Sequence, residues 1–261
     1  YSTSQNPTTV NSKVTAGSGA GSFTCNLSGL QAGTKYYVRA YAVNSAGTSY
    51  GTQVSFTTQQ SSSDNGTENG HAYVDLGLSV KWATCNVGAT KPEEYGDYFA
   101  WGETEPKEEY NWSTYKWCDG DYNNMTKYCS SSDFGIVDNK TKLEPEDDAA
   151  TVNWGGAWRM PTKAELDELH KKCTWALERK NGVYGLKLIS KANGNSIFLP
   201  AAGLRFGSDL NIEYSYGSCW SSSLSTNNSY NALYLDFGSD NVCSYYSSRN
   251  IGQSVRPVLA E

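Results

Sequence analysis

Two histidines and seven cysteines are the residues of this 261-residue chain best suited to nucleophilic, redox or metal chemistry. Their spacing supports little of it. His71 and His170 make no H-E-x-x-H pattern, and no G-x-S-x-G turn is present. The cysteines, at positions 25, 85, 118, 129, 173, 219 and 243, include no C-x-x-C pair, so a zinc site or thioredoxin-like redox centre is not expected. Most read as small buried apolar residues. In an oxidising compartment Cys118 and Cys129 could close a short loop, and the odd count leaves at least one thiol free or shared with another chain. Residues 119–124 (DGDYNN) begin like a calcium loop, with oxygens at alternate positions. The sixth and twelfth places, where an EF-hand needs Gly and Glu, hold Asn124 and Ser130. GETEPKEE and EPEDD offer paired carboxylates, yet a glycosidase needs two carboxyls across a cleft, and such runs are usually solvated loops. No catalytic residue, metal ligand or cofactor is expected.

Recognition is the chemistry better represented. Residues 221–250 contain nine Ser, five Asn and four Tyr. These are the residue types of antibody loops: Tyr offers a large amphipathic contact with few rotors, and Ser and Asn adapt their hydrogen bonds. Leu233, Leu235 and Phe237 alternate and should point inward, leaving Tyr234 and Asp236 to face outward. Asn227, Asn228, Tyr230 and Asn231 fall on the preceding loop, and Tyr245 and Tyr246 follow the next turn. With Asn241 and Asn250, these residues form the candidate ligand-binding face.

Composition narrows the class. Hydrophobic residues make up 38% and aromatics 13%, enough for a core with aromatics to spare for surfaces. The net charge of −6 and the lack of any basic run argue against nucleic acid, which needs clustered Lys and Arg. No run of eighteen apolar residues predicts a membrane span. Tyr1 is not an initiator, so the chain is expected to be trimmed or processed, and a lost N-terminal region could anchor it.

The elements fall into two groups. Residues 59–71, centred on QQSSSDNGTENG, read as an exposed linker. Before it come short alternating runs that predict strands, with Val38, Ala40 and Ala42 on one face. After it, one segment predicts a helix: Thr162 and Glu165 form a capping box, and Leu166, Leu169 and Cys173 then share a face. A shorter helix is predicted over residues 147–152. From Val183 onward VYGLKLIS, NSIFLPAAG, CWSSS, NALYLDF, NVCSYY and QSVRPVLA predict strands.

Two resemblances accompany these patterns. L-x-x-G-T-x-Y-x-V-x-A-x-A-V-N-S-A-G, over residues 30–47, resembles the second half of a fibronectin type III domain, with Tyr36 at the tyrosine corner. Only about sixty residues precede the linker, whereas a whole sandwich takes about 100, which implies missing first strands. VDLGLSVKWATCNVGATKPEEYGDYFAWGE, WGGAWRMPTKAEL, SIFLPAAGLR, CWSSS and GQSVRPV, within residues 73–258, resemble the Fibrobacter succinogenes major paralogous domain. That family occurs in secreted and surface proteins of Gram-negative gut anaerobes. It is similar in turn to the formylglycine-generating enzymes within the wider C-type lectin fold. The expectation is therefore two domains: an N-terminal all-β partial fibronectin type III-like sandwich (1–58) and a C-terminal α+β C-type lectin-like domain (72–261), joined by the linker.

The resemblance also implies a location outside the cell or on its outer surface. Formylglycine-generating enzymes bind copper through a close cysteine pair. Cys219 and Cys243 lie in the matching region but twenty-four residues apart, so that chemistry is not expected. The C-terminal segment also looks like the variable region of proteins diversified by retroelements, in which Asn codons are randomised. The function expected is a secreted or surface-attached adhesion module for a protein or glycan. The alternatives are an oxidase of the formylglycine-generating type and a structural spacer in a larger surface protein.

Overall fold

The computed structural model describes all residues except 32–33, 59–64, 212–215, 240 and 261. The chain divides into two units, Tyr1–Ser63 and Asp64–Glu261.

In the first unit β1 (Lys35–Val38) pairs with β4 (Val54–Thr57), and β2 (Tyr41–Asn44) pairs with β3 (Gly47–Tyr50). The alternating run around Val38 is broken at residues 39 and 40, and Ala40 and Ala42 are exposed rather than inward. Two two-stranded sheets stand where a sandwich was expected. Tyr36 is nevertheless buried, and its hydroxyl accepts the Gln31 amide at 3.0 Å, tying the loop back to the strand as a tyrosine corner does.

The second unit is built mainly of strands. Across the chain 38% of residues lie in strands and 9% are helical, with two α-helices among the described residues. The α+β C-type lectin-like assignment is therefore corrected to a mostly β architecture of several small sheets. The reason is visible in element lengths. Helices α1 (Ala149–Trp154) and α2 (Lys163–Lys172) have six and ten residues, so they fill gaps between sheets and do not form a layer. Both are capped as expected. Asp148 accepts the Ala150 and Thr151 amides, while Thr162 and Glu165 satisfy each other's backbone N–H in a capping box.

A five-stranded sheet runs β5 (Gly66–Glu68), β6 (His71–Val74), β7 (Val80–Ala83), β17 (Val258–Ala260) and β8 (Trp158–Arg159). Its first strand lies inside the stretch that composition assigned to a linker. Asn and Gly make that stretch look like coil, but Gly66 pairs with Tyr73 and Glu68 with His71. A second sheet joins β9 (Cys173–Lys180), β10 (Val183–Ser190) and β11 (Ser196–Pro200), and a hairpin joins β12 (Leu204–Phe206) to β13 (Asp209–Asn211). The last sheet, in the order β14 (Gly217–Leu224), β15 (Asn231–Phe237) and β16 (Val242–Ser248), carries the Ser- and Tyr-rich segment.

That last sheet separates two apolar cores. Trp220, Leu224, Ala232 and Tyr234 pack into one with Trp101, Tyr128 and Trp158. Cys219, Leu235, Phe237 and Val242 pack into the other with Trp82, Leu166, Leu169 and Leu188. A third cluster gathers Tyr98, Tyr110, Tyr115, Met125 and Cys129. Each large side chain fully buried in this way contributes about 2–3 kcal/mol.

Two arginines are buried completely without a carboxylate partner in the described hydrogen bonds. Arg249 donates through Nε to the Tyr115 hydroxyl, through Nη1 to the Tyr128 and Ser229 carbonyls, and through Nη2 to the Lys127 carbonyl. Arg256 donates to Asn86 Oδ1 and to the carbonyls of Ala83, Thr84 and Phe198. Burying a guanidinium is tolerable only when its N–H groups are satisfied, and here backbone oxygens do most of that. Desolvation in the interior brings the Arg256 pKa down to about 10.

Candidate binding surface

β15 is the central strand of its sheet, and both its faces are covered. The expectation of one apolar face and one open face fails for that reason. Tyr234 is 7% exposed, Asn231 6% and Asn250 2%, so these three leave the candidate surface. The Tyr234 ring meets Trp220 edge-on at 5.9 Å. Asn231 closes the loop through backbone bonds to Asn228 and Ser225, and Asn250 Nδ2 donates to the Tyr110 carbonyl. Leu233, expected inward, is only half-buried, whereas Leu235 and Phe237 are core residues as their positions suggested.

The remaining seven residues fall into two groups. Asn227, Asn228 and Tyr230 stand on the loop before β15. Tyr230 is half-buried, its ring 5.3 Å from Tyr122 and 5.2 Å from Phe134. Asp236, Asn241, Tyr245 and Tyr246 belong to the C-terminal part of β15, the turn after it and the edge strand β16. The two ends of β15 are about 20 Å apart. Tyr245 and Tyr246 lie opposite Tyr234 and Leu233 near the middle of that strand, so only Asp236 and Asn241 stand at the end away from the loop group.

Tyr245 and Tyr246 are the prominent feature of the second group. Both are about half exposed, at 51% and 46%, and their rings stack at 4.7 Å with an interplanar angle of 12°. Neighbouring them across the sheet, Asp236 pairs with Cys243 and Tyr234 with Tyr245. The Tyr216 and Tyr234 hydroxyls are 3.3 Å apart. Burial pushes the Tyr234 phenol up to about 12 and raises Tyr216 as well. Burial also raises the Asp236 carboxyl, against the opposing effect of the Tyr216 hydroxyl.

Tyr216 was not among the expected residues. Its signal was present, because the Tyr- and Ser-rich composition begins at Tyr214 rather than at Ser221. Trp112, Tyr122 and Phe134, which extend the ring cluster around Tyr230, come from a region whose loops show no periodicity. Arg249 positions the loop group: its amide donates to the Tyr230 carbonyl and its guanidinium to the Ser229 carbonyl.

The residues that spacing suggested for other chemistry are engaged structurally. The sheet register puts Cys219 opposite Leu235, which in turn faces Ser244, while Cys243 faces Asp236. Cys219 and Cys243 therefore occupy opposite faces of the sheet. All seven thiols are free, with Cys118 Sγ 3.1 Å from the Trp112 carbonyl and Cys129 Sγ 3.1 Å from the Ser131 carbonyl. Residues 119–124 close as a tight turn, the Asp119 amide donating to the Asn124 carbonyl and the Asn124 amide to that of Asp121. Among the described residues no three or more His, Cys, Asp or Glu gather as a metal site. Glu103 pairs with Lys107, and Asp147 with Lys127 and Tyr128. His71 lies flat on Trp154 at 3.8 Å, and desolvation lowers its pKa. His170 lines a shallow cleft of about 500 Å³ with Lys171, Trp175 and Lys191, away from the Ser-rich sheet's tyrosines in the lining. No helix among the described residues is long and apolar enough to cross a membrane.

No family model, curated protein or solved structure matches this chain.

Proposed function

We propose that the unit spanning residues 64–261 is a recognition module that binds a protein partner through the outer part of the C-terminal sheet. The stacked, half-exposed pair Tyr245 and Tyr246 on edge strand β16 carries this reading. Exposed tyrosines hold a large contact area with little rotamer freedom to lose, and such residues dominate interface energetics. The two rings stack on each other instead of framing a groove, which favours a flat partner over a sugar ring. Asp236 and Ser247 share the face of Tyr245 and add polar groups beside it. The opposed faces of Cys219 and Cys243 weigh against the copper-oxidase alternative.

The test is adhesion of the full chain to intact bacterial cells. Expected is binding that protease treatment of the target cells removes and that a Tyr245→Ser/Tyr246→Ser variant loses by about thirtyfold or more. Binding that survives protease but disappears on periodate oxidation of surface glycans would overturn the protein reading. Undiminished binding by the double variant would overturn the site.

A further inference from the structure

One face of the C-terminal sheet holds an acid without a counterion among the described residues. Register aligns Ser218 and Cys243 with Asp236, and Trp220 and Tyr245 with Tyr234, so all six share that face. Ser218 Oγ is committed to the Gly203 carbonyl, and Trp220 Nε1 to the Phe99 carbonyl. Asp236 Oδ1 is buried and has no hydrogen-bond partner among the described residues, while the Tyr216 hydroxyl acts on the same carboxyl and the residue stays partly open to solvent. None of the described ion pairs involves it. Among the described residues, Tyr216, Tyr234, Cys243 and Tyr245 are the titratable groups around it, and none of them is a cation. Burial raises the Tyr216 and Tyr234 phenols and the bond to Tyr246 raises Tyr245, with the Asp236 charge adding to all three.

An unpartnered buried carboxylate oxygen is costly. Phenol faces present negative potential to a cation. Acid and rings together would therefore be relieved by a positive group entering between them. A guanidinium suits the niche better than an ammonium. It is planar, lies against aromatic faces, meets a carboxylate with two parallel N–H bonds and sheds water more easily.

We infer that Asp236, Tyr216 and Tyr245, over the buried Tyr234 ring that floors them, receive an arginine side chain of the protein partner. This rests on the recognition reading above and names the chemistry that the partner must present. The stacked Tyr245 and Tyr246 supply the contact area, while Asp236 supplies selection for charge.

The experiment titrates Nα-acetyl-arginine amide into the full chain carrying ¹³C-labelled tyrosine, with the neutral isostere Nα-acetyl-citrulline amide as control. Expected are saturable shifts of the ring resonances of Tyr216, Tyr234 and Tyr245 with a Kd of about 1–10 mM, and none with citrulline. Asp236→Asn, close to isosteric, should weaken binding about tenfold or more, and Tyr245→Leu about threefold. Tryptophan fluorescence reports whether each variant keeps its fold, and the Tyr245→Leu arm stands if Asp236→Asn does not fold. Equal shifts with citrulline, no saturable shift with arginine amide, or unchanged affinity in a folded Asp236→Asn chain would each overturn the proposal. Those results would leave the cell-adhesion test of Tyr245 and Tyr246 intact, so the two readings fail separately.

Discussion

Arg249 Nε and the Tyr115 hydroxyl meet at 2.8 Å, with both side chains shut away from solvent. The same hydroxyl donates to the Trp101 carbonyl at 2.6 Å, and the Trp101 amide in turn donates to the Arg249 carbonyl at 2.8 Å. This closed circuit joins the long loop region, the residues after β16 and, through Ser229 and Tyr230, the loop that opens β15. An arginine that composition would assign to the surface thus fixes the geometry of one half of the candidate binding surface.

Replacing Arg249 with Met should cost about 3 kcal/mol or more, because the Lys127, Tyr128 and Ser229 carbonyls lose their donor together. Arg249→Lys should not rescue the loss, since one ammonium cannot span the same oxygens. Urea unfolding checks both: the midpoint should fall at unchanged slope.

Tyr234 and Tyr245 face each other across neighbouring strands yet should respond oppositely to truncation. Tyr234→Ala is expected to cost about 3 kcal/mol or more, leaving a cavity beside Trp220. Tyr245→Ala should change stability by under about 0.5 kcal/mol. Thermal unfolding of the two variants separates them, and equal losses would contradict the burial described.

Glu165 predicts an acid-dependent loss of stability. Burial pushes its carboxyl up, but the two-pronged contact with Arg159 (2.6 and 2.8 Å) and the Thr162 amide outweigh burial and hold it below its ordinary value. A depressed folded-state pKa gives stability that is present above the unfolded pKa and lost as pH falls through the folded one. The loss should therefore begin below about pH 4. Denaturation at stepped pH should show this component disappear in Glu165→Gln. At neutral pH Thr162→Ala should cost about 1 kcal/mol.

The thiols should react in the order of their exposure. Cys25 is exposed, whereas Cys219 is buried and desolvation pushes its thiol up to about 11. Iodoacetamide at pH 8 followed by peptide mass spectrometry should show Cys25 modified first. Cys219 should label only on unfolding, as thiolate is the reacting form. Early labelling of Cys219 would contradict its placement in the core.

Local chemistry was legible where a signal lay within a few residues. Thr162 and Glu165 marked the start of α2, and alternation marked β10 and β15. β9 was not legible: its burial shows no alternation, with Thr174 to Ala176 all exposed. The error over Tyr234, Asn231 and Asn250 has a different cause. Residue type tells which side chains tolerate solvent, but not that a second core lies against the other side of the strand. The capping segment was real, whereas the α+β expectation came from the family resemblance, and helices of six and ten residues do not form a layer.

The division of the C-terminal sheet between two cores bears on how this chain can change over generations. Trp220, Leu235 and Phe237 answer to the packing on either side, so their replacement is constrained by folding. Asn227, Asn241, Tyr245 and Tyr246 answer to neither core, because they occupy a loop, a turn and an outer strand. Substitution there would alter the exposed surface while the unfolding free energy stays nearly constant. On the proposed recognition reading, the contact area of Tyr245 and Tyr246 could therefore change with little effect on folding, whereas a change at Tyr234 would touch both.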